Sequence, residues 1–452
     1  MADYDIPQST SFDIQSIKIT TDYGSVDVRS MFMEINLFDG VLQPCMSGNI
    51  LIQDAVGLIN KLAFDGSEFI TIRISKAGDF LPFEKTFHIY KLSHRKAINL
   101  GMESYILHFS SEEFIYSEQQ RVQQNYFEKH SDLAGKILSE YLSVPDNKIF
   151  IEQSMGVRKA ILPKMKPLDA ITWCAKRALD ENYRPNFLFF ENMQGFFFTS
   201  LSTIMKNGAI ATIKHSITNL GQESIGNDFL SAKKIEVVSQ YDSIDNTREG
   251  LYAGTFIGFD PMTRTYRKVK MDLNSNLGKS ETANAYKNKS NYRNPGAVLN
   301  TRMFDSKITV FPFTNERTNS SWLLSSDPVT TLTEDTPEKW MFQRNAILRN
   351  MTSKIVRVAL SGNFGLTSGH NINMLVPVRG EKVDNDPNDN LDMSLTGRYL
   401  IIATRHIIRY DKHETILELA TDSTNQESKA PDTKIGDDNN SYTTADDGNT
   451  GE

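Results

Sequence analysis

Lys354-Ile-Val-Arg-Val-Ala-Leu360, Tyr399-Leu-Ile-Ile-Ala-Thr-Arg-His-Ile-Ile-Arg409 and Glu414-Thr-Ile-Leu-Glu-Leu-Ala-Thr421 are three runs whose side chains alternate in character. In the last of them Leu417 and Leu419 fall on one side and Glu414 and Glu418 on the other. Successive strand residues point to opposite faces, so this pattern predicts a half-buried strand. Tyr410-Asp-Lys-His413 is a polar break of hairpin length. Between Leu360 and a further run, Ile372-Asn-Met-Leu-Val376, the glycines Gly362, Gly365 and Gly369 supply turn positions. The stretch predicts a compact antiparallel sheet.

A related pattern occurs earlier. Phe87-His-Ile-Tyr-Lys-Leu-Ser-His94 followed by Ser104-Tyr-Ile-Leu-His-Phe-Ser-Ser-Glu112 can be laid on Tyr399–His406 followed by Glu414–Asp422. Ile106 and Leu107 then fall on Ile416 and Leu417, Phe109 on Leu419, Ser111 on Thr421 and His94 on His406. Gly66 ahead of Phe69-Ile-Thr-Ile-Arg-Ile74 matches Gly369 ahead of Ile372. Element order agrees as well as alternation, so the chain reads as two copies of one β-module.

With 452 residues the chain is long enough for several cores. A hydrophobic content of 39% places it among globular proteins. The formal net charge of -7 argues against specific nucleic-acid binding, which needs a basic stripe against phosphates. Cys45 and Cys174 are too few and too far apart for a disulfide framework or metal spacing. The polar opening Met1–Pro7 predicts no signal peptide, and no apolar run is long enough for a membrane segment.

Taken in order, Ile14–Thr20 and Val26–Leu37 read as strands, and Asp54 as the N-cap of a short helix at Ala55–Leu62. The hairpin Phe83–Ser93 with Ser104–Ser111 closes the first module. From Ser131 the period becomes helical, with Ser131 as N-cap; Pro167 opens a second helix, and Phe187–Phe190 with Phe196–Phe198 form an aromatic hairpin. Leu251–Phe259 and Tyr266–Lys270 are a candidate strand pair, and Pro337 opens a helix to Met351. These readings divide the chain into a first β-module at 1–115, an α+β insert at 116–227, a second β-module at 228–421 carrying a long polar loop at 274–336, and a disordered acidic tail at 422–452. The fold class is mainly β with an α+β insert.

Chemistry-bearing motifs are sparse. G-x-x-x-x-G-K-[ST], H-E-x-x-H and G-x-S-x-G are absent. His88, His94, His108, His406 and His413 are scattered over strands and a loop, so no metal site and no cofactor is predicted. Glu112-Glu113 reads as a solvated helix start, and the Phe187–Phe198 cluster as the core of the insert. No catalytic residue is assigned, and no enzymatic activity is expected.

Three segments carry a resemblance. Lys166-Pro-Leu-Asp-Ala-Ile-Thr-Trp173 through Phe187–Phe190, Ser361–Gly369 with the strand after it, and the closing hairpin Gly397–Asp422 together resemble the baseplate hub proteins of contractile-tailed, T-even-like phages. More distantly they resemble the N-terminal part of VgrG spike proteins. The resemblance implies two tube-like antiparallel modules, of barrel or sandwich type, in each subunit of a homotrimer. The six modules would form a ring that adapts a sixfold tail tube to a threefold cell-puncturing spike. It implies the tail spike protein, tail tube protein, tape measure protein and surrounding baseplate wedge proteins as partners. The ring would sit in the tail baseplate of the virion, assemble in the host cytoplasm, and let tape measure and DNA pass. The polar stretch Asn274–Thr336 departs from the pattern. A hub of a flexible tail, a glycan-binding receptor module using Trp322 or Phe196–Phe198, and a tail-associated peptidoglycan hydrolase are the alternatives.

Overall fold

The computed structural model describes residues 12–62, 64–76, 83–99, 101–215, 230–240, 242–261, 264–272, 282–284, 286–287, 303–312, 338–378 and 391–425. The chain is mainly β, with small helical elements, as its alternation predicts. Thirteen strands form one sheet. We number them β1 (Phe12–Thr21), β2 (Gly24–Asp27), β3 (Phe32–Gly40), β4 (Ser47–Asp54), β5 (Phe69–Lys76), β6 (Phe83–Asn99) and β7 (Met102–Ser110). They continue with β8 (Ala209–Lys214), β9 (Lys234–Gln240), β10 (Lys354–Ser361), β11 (Asn371–Leu375), β12 (Gly397–Arg409) and β13 (His413–Thr421). The pairing order is β9-β10-β13-β12-β3-β4-β7-β6-β5-β1-β2, with β11 on β12 and β8 on β11.

That order contains one arrangement twice. β3-β4-β7-β6-β5-β1 in the first half repeats as β9-β10-β13-β12-β11-β8 in the second. The match extends to single residues. Leu92 pairs with Leu107, and Thr404 with Leu417; Ile50 pairs with Leu107, and Val358 with Leu417. β6 bulges between Ile89 and Lys91, and β12 at the matching place between Ile401 and Ala403. Gly66 and Gly369 both take left-handed backbone, at φ 97° and 86°. Only a residue without Cβ adopts that conformation freely, which fixes where each following strand begins. The halves differ in their last strand: β1 runs antiparallel to β5, whereas β8 runs parallel to β11.

Alternation places one face of each half on its own core. Ile35, Leu37, Ile50, Ile52, Leu107 and Phe109 belong to the first, and Val356, Val358, Ile372, Tyr399, Leu417 and Leu419 to the second. Each buried aliphatic side chain contributes roughly 1.5–3 kcal/mol over exposure, so these rows hold the sheet. Gly48 lies where a Cβ would meet the Phe109 ring at 2.4 Å, leaving that ring room to cross β4.

Between β7 and β8 the insert packs helix Pro167–Arg177, helix His130–Lys136 and the hairpin Phe187–Glu191/Phe196–Ser200 around a third core. A smaller sheet follows β9: Ala253–Asp260 pairs antiparallel with Thr265–Asp272, the predicted pair, and parallel with Ile308–Pro312.

Several local expectations shift. The single strand at Val26–Leu37 is two, β2 and β3, split by a turn in which Met31 N–H donates to Val28 O at 3.0 Å. The Asp54 carboxylate accepts from the N–H groups of Val56, Gly57 and Leu58, but the helix itself is only Leu58–Leu62. The helix expected to be capped by Ser131 starts at His130, with Lys129 in the cap position. β8 falls within the stretch assigned to the insert, yet extends the second half of the main sheet. In the polar region 274–336, Ile308–Pro312 is a strand and Tyr286–Lys287 pairs with Ser423–Thr424; Trp322 lies outside the described residues. Helix Arg344–Met351 continues a π-helical turn at Glu338–Gln343, and Pro337 lies outside the described residues.

The tail expectation is corrected at its start. Asp422 and Ser423 are buried, and their side chains accept from the N–H groups of Ala283 and Asn284 at 3.0 and 2.7 Å. Composition marked this segment as tail, but its polar groups serve as acceptors for an incoming segment. Residues 426–452 lie outside the described residues. Truncation after Thr421 strands those buried N–H groups, so it lowers stability by roughly 1–3 kcal/mol relative to truncation after Asn425. Paired thermal melts of the two truncations check this, and equal midpoints would contradict it.

Candidate functional site

β3 and β12 are about as far apart in sequence as any two paired strands of the sheet, and they join its two halves. They pair antiparallel from Ala403 opposite Gly40 to Arg409 opposite Glu34. Core-facing residues cross the joint: Ile408 of β12 belongs to the first core. On the opposite face the joint is polar. Arg405 donates through Nε and Nη2 to Asn36 Oδ1 at 3.0 and 2.8 Å. Asn36 Nδ2 in turn donates to Glu34 Oε1 and to Asn49 Oδ1. Arg409 Nε reaches Glu34 Oε2 at 2.9 Å. The guanidinium of Arg409 and the amide of Asn36 hold the Glu34 carboxyl below its ordinary range, against the opposing effect of partial burial.

The polar face continues across eight strands, from β9 to β6. Arg357 and Glu418 pair across β10 and β13 at 2.7 Å, and His108 Nε2 lies 2.7 Å from Ser93 Oγ across β7 and β6. The result is one continuous wall whose one face is packed on cores and whose other face is mixed in charge.

The segment Gly362–Gly369, between β10 and β11, ties the wall to the insert. Thr367 Oγ1 and Ser368 N–H donate to the two oxygens of Asp39 at 2.6 and 3.2 Å. Burial lifts the Asp39 carboxyl to about 6, opposed by those donors. Asn192 Nδ2 donates to Ser368 O at 2.9 Å, and Phe190 leaves no space for a Cβ at Gly369, where it would sit 2.5 Å from Cζ. Phe364 stacks on Phe83 at 4.6 Å and tilts against His406 and His413. One short loop therefore touches β3, β6, β12, β13 and the insert hairpin.

A second anchor was not legible in the sequence. Glu191, at the end of the aromatic hairpin, is buried among polar partners from the first half. Its Oε2 accepts from Met46 N–H at 2.7 Å and Ser111 Oγ at 2.6 Å, and Lys85 Nζ binds its Oε1. Glu113, read from sequence as a solvated helix start, is also sequestered here. Burial first, and the neighbouring Glu191 charge second, push its carboxyl up to about 7. The two acids thus meet, but both Glu191 oxygens are committed to protein donors, an arrangement suited to clamping and poorly suited to proton transfer.

Of the remaining sequence candidates, His406 and His413 come together. His406 Nδ1 lies 3.3 Å from His413 Nε2 and 3.1 Å from Thr415 Oγ1, while His88, His94 and His108 belong to β6 and β7. Among the described residues no group of three or more potential metal ligands comes together. Phe196 and Phe198 are buried in the insert core, as their alternation predicts, and Phe197 stacks between Phe150 and Phe190. No helix of the described residues is long and apolar enough to cross a membrane.

The sequence matches no protein-family model, and no curated protein matches it. Among solved structures the chain is similar to a tail protein from Neisseria meningitidis MC58, with a TM-score of 0.53 at 10% identity, over 91% of this chain and 97% of that one. The fold is that of a tail protein. A 43 kDa tail protein of prophage MuSo2 from Shewanella oneidensis aligns over 90% of this chain and 98% of that one, with a TM-score of 0.47 at 11% identity. An Escherichia coli component of the type VI secretion system, described as structurally similar to T4 bacteriophage tail proteins gp27 and gp5, aligns over 91% of this chain and 76% of that one, at 8% identity and a TM-score of 0.40.

The Glu113 clamp generates a pH prediction. Its folded-state value lies above the ordinary 4.5. A raised carboxyl favours the fold below about pH 4.5, and that contribution is lost as pH rises to about 7. Glu113→Gln should therefore stabilise the chain at pH 8, by on the order of 3 kcal/mol at most, and the gain should vanish towards pH 4.5. Thermal melts of both forms across this range test it; a gain independent of pH would refute the titration as its source.

Proposed function

We propose that the chain is a structural baseplate hub of a phage tail, a homotrimer whose six half-sheets form a pseudo-sixfold ring. The observation that carries this reading is the β3–β12 joint. It lines up two halves of the same strand order side by side, edge to edge, in one continuous wall. A unit that joins its own two copies in this way can join further copies in the same way, and a closed ring removes the open edges that otherwise invite uncontrolled strand pairing. The likeness to a tail protein over most of both chains supports a place in a tail.

In this reading residues 1–115 supply one tube-like module, 228–421 together with β8 the other, and the rest of 116–227 the insert outside the wall. The sixfold tail tube would stack on one end of the ring and the threefold spike protein on the other. Baseplate wedge proteins would surround it, and the tape measure protein and DNA would pass through the lumen. The face bearing Arg405, Asn36, Glu418 and Arg357 would line that lumen. Its charges alternate in sign and are largely engaged with one another, which suits a conduit that should not retain DNA. The role is structural, in the virion baseplate after assembly in the host cytoplasm.

Light scattering on the purified chain, alone and mixed with its spike protein, tests the proposal. The expected mass is that of a trimer or of a three-to-three complex. A stable monomer under both conditions would overturn the ring and return the glycan-binding and cell-wall-hydrolase alternatives to the bench.

A further inference from the structure

The small sheet built on Ala253–Asp260 has one covered face and one open face. On the covered face Phe256 is fully buried, and a Cβ at Gly254 would lie 2.3 Å from the Phe342 ring. Phe311, on the same side, meets Trp340 edge to face. Strand period two puts the alternate residues on the other side. There Lys268, Ile257 and Val310 form one row across the three strands. Lys270 and Ile308 flank the next row, and Tyr266 faces Phe259 in the third. Tyr266 is 75% exposed, Val310 63%, Ile308 54% and Phe259 44%. Two exposed lysines thus border a contiguous patch of aliphatic and aromatic side chains, a surface that gains by being covered.

The chain carries a segment of matching chemistry. Residues 426–452, outside the described residues, hold seven acidic and two basic side chains, so they supply -5 of the formal net charge of -7. Ile435 stands two residues before Asp437, the spacing that puts both on one side of an extended chain. The segment also departs from nearby. Ser353 Oγ donates to Thr421 O at 3.0 Å, and Ser353 lies just beyond the helix Arg344–Met351. The turn preceding that helix carries Phe342, which packs on the covered face of the small sheet. At helical rise the chain from Phe342 to Ser353 covers about 16 Å. Residues 426–452 reach up to about 90 Å when extended, so distance does not limit the contact.

We propose that the acidic segment 426–452 docks on the open face of its own chain's small sheet. Its carboxylates meet Lys268 and Lys270, and Ile435 covers part of the apolar patch. Attachment to the same chain gives the segment a high effective concentration at the face, so weak individual contacts suffice. The cover is held largely by charge between exposed groups, and salt therefore loosens it. Such a cover keeps an apolar patch from unspecific association, and a more strongly bound acidic segment can displace it.

The test applies a carbodiimide, which joins a carboxylate to an amine in contact with it, to the full chain. The sample is an equal mixture of heavy- and light-nitrogen chains, and linked peptides are read by mass spectrometry. Links from Lys268 or Lys270 to acids of 426–452 within one isotope are expected. Links that mix isotopes would give the face to the segment of a neighbouring copy and overturn the proposal, as would the absence of links at both lysines. A second measurement titrates a fluorescent peptide of residues 426–452 into the chain ending at Asn425. Lys268→Glu/Lys270→Glu, two exposed substitutions, should weaken that binding about tenfold. The control Lys91→Glu/Lys96→Glu, on exposed positions of β6, should leave it unchanged. Equal weakening by both pairs would reduce the contact to unspecific charge attraction and overturn the site.

Discussion

Everything else in this molecule is arranged around the pairing of β3 with β12. Each half-sheet on its own has a buried face and a core, but also a hydrogen-bonding edge that water must satisfy. Joining them converts two edges into one ladder and makes the polar face continuous from Lys234 to Asn99. The contribution of backbone hydrogen bonds alone is modest, on the order of 1 kcal/mol each, because water competes for them. The joint is therefore secured by side chains on both faces. Arg405, Asn36, Glu34 and Arg409 form a connected network on one, and Ile408 enters the first core on the other.

The insert stiffens that joint without belonging to it. Phe190 fills the space above Gly369, Asn192 grips Ser368, and Glu191 reaches Met46, Ser111 and Lys85 in the first half. Three consecutive residues at the turn end of the hairpin thus hold both halves. Removing a single partner of Glu191 would leave a buried carboxylate or donor unmet, so the clamp resists piecemeal loosening. The loop Gly362–Gly369 owes two of its glycines to close approach: a Cβ at Gly362 would lie 2.0 Å from the His413 ring and one at Gly369 2.5 Å from the Phe190 ring.

Much of this was legible in the sequence, for a physical reason. Alternation and turn residues are local, so the strands β5, β6, β7, β12 and β13 and the aromatic hairpin could be placed from residue pattern. The repeat was legible too, because Leu107 and Leu417 occupy the same point of the same hairpin and each must face a core. The joint itself was not. Nothing near Glu34 or Arg409 marks them as neighbours across most of the chain; their pairing is a tertiary fact. The same holds for Glu113 and Glu191, whose meeting depends on how the insert docks, and for β8, whose partner β11 lies far downstream. Asp422 and Ser423 were misread because composition cannot distinguish a polar segment in water from one that satisfies buried N–H groups.

The limits of the repeat carry their own information. Through five strands the halves agree in order and direction and share one bulge, at Ile89/Lys91 and Ile401/Ala403, while β3, β6 and β9 carry further bulges of their own; these five form or flank the wall. They part company at the sixth, antiparallel in β1 and parallel in β8, and in what is attached outside. The first half leads into the insert; β9 is followed by the small sheet built on Ala253–Asp260. Two surfaces that repeat at one radius and differ at another satisfy, under the proposed ring, two symmetries at once. In that ring the wall would offer a near-sixfold rim, while the attached elements would recur only three times.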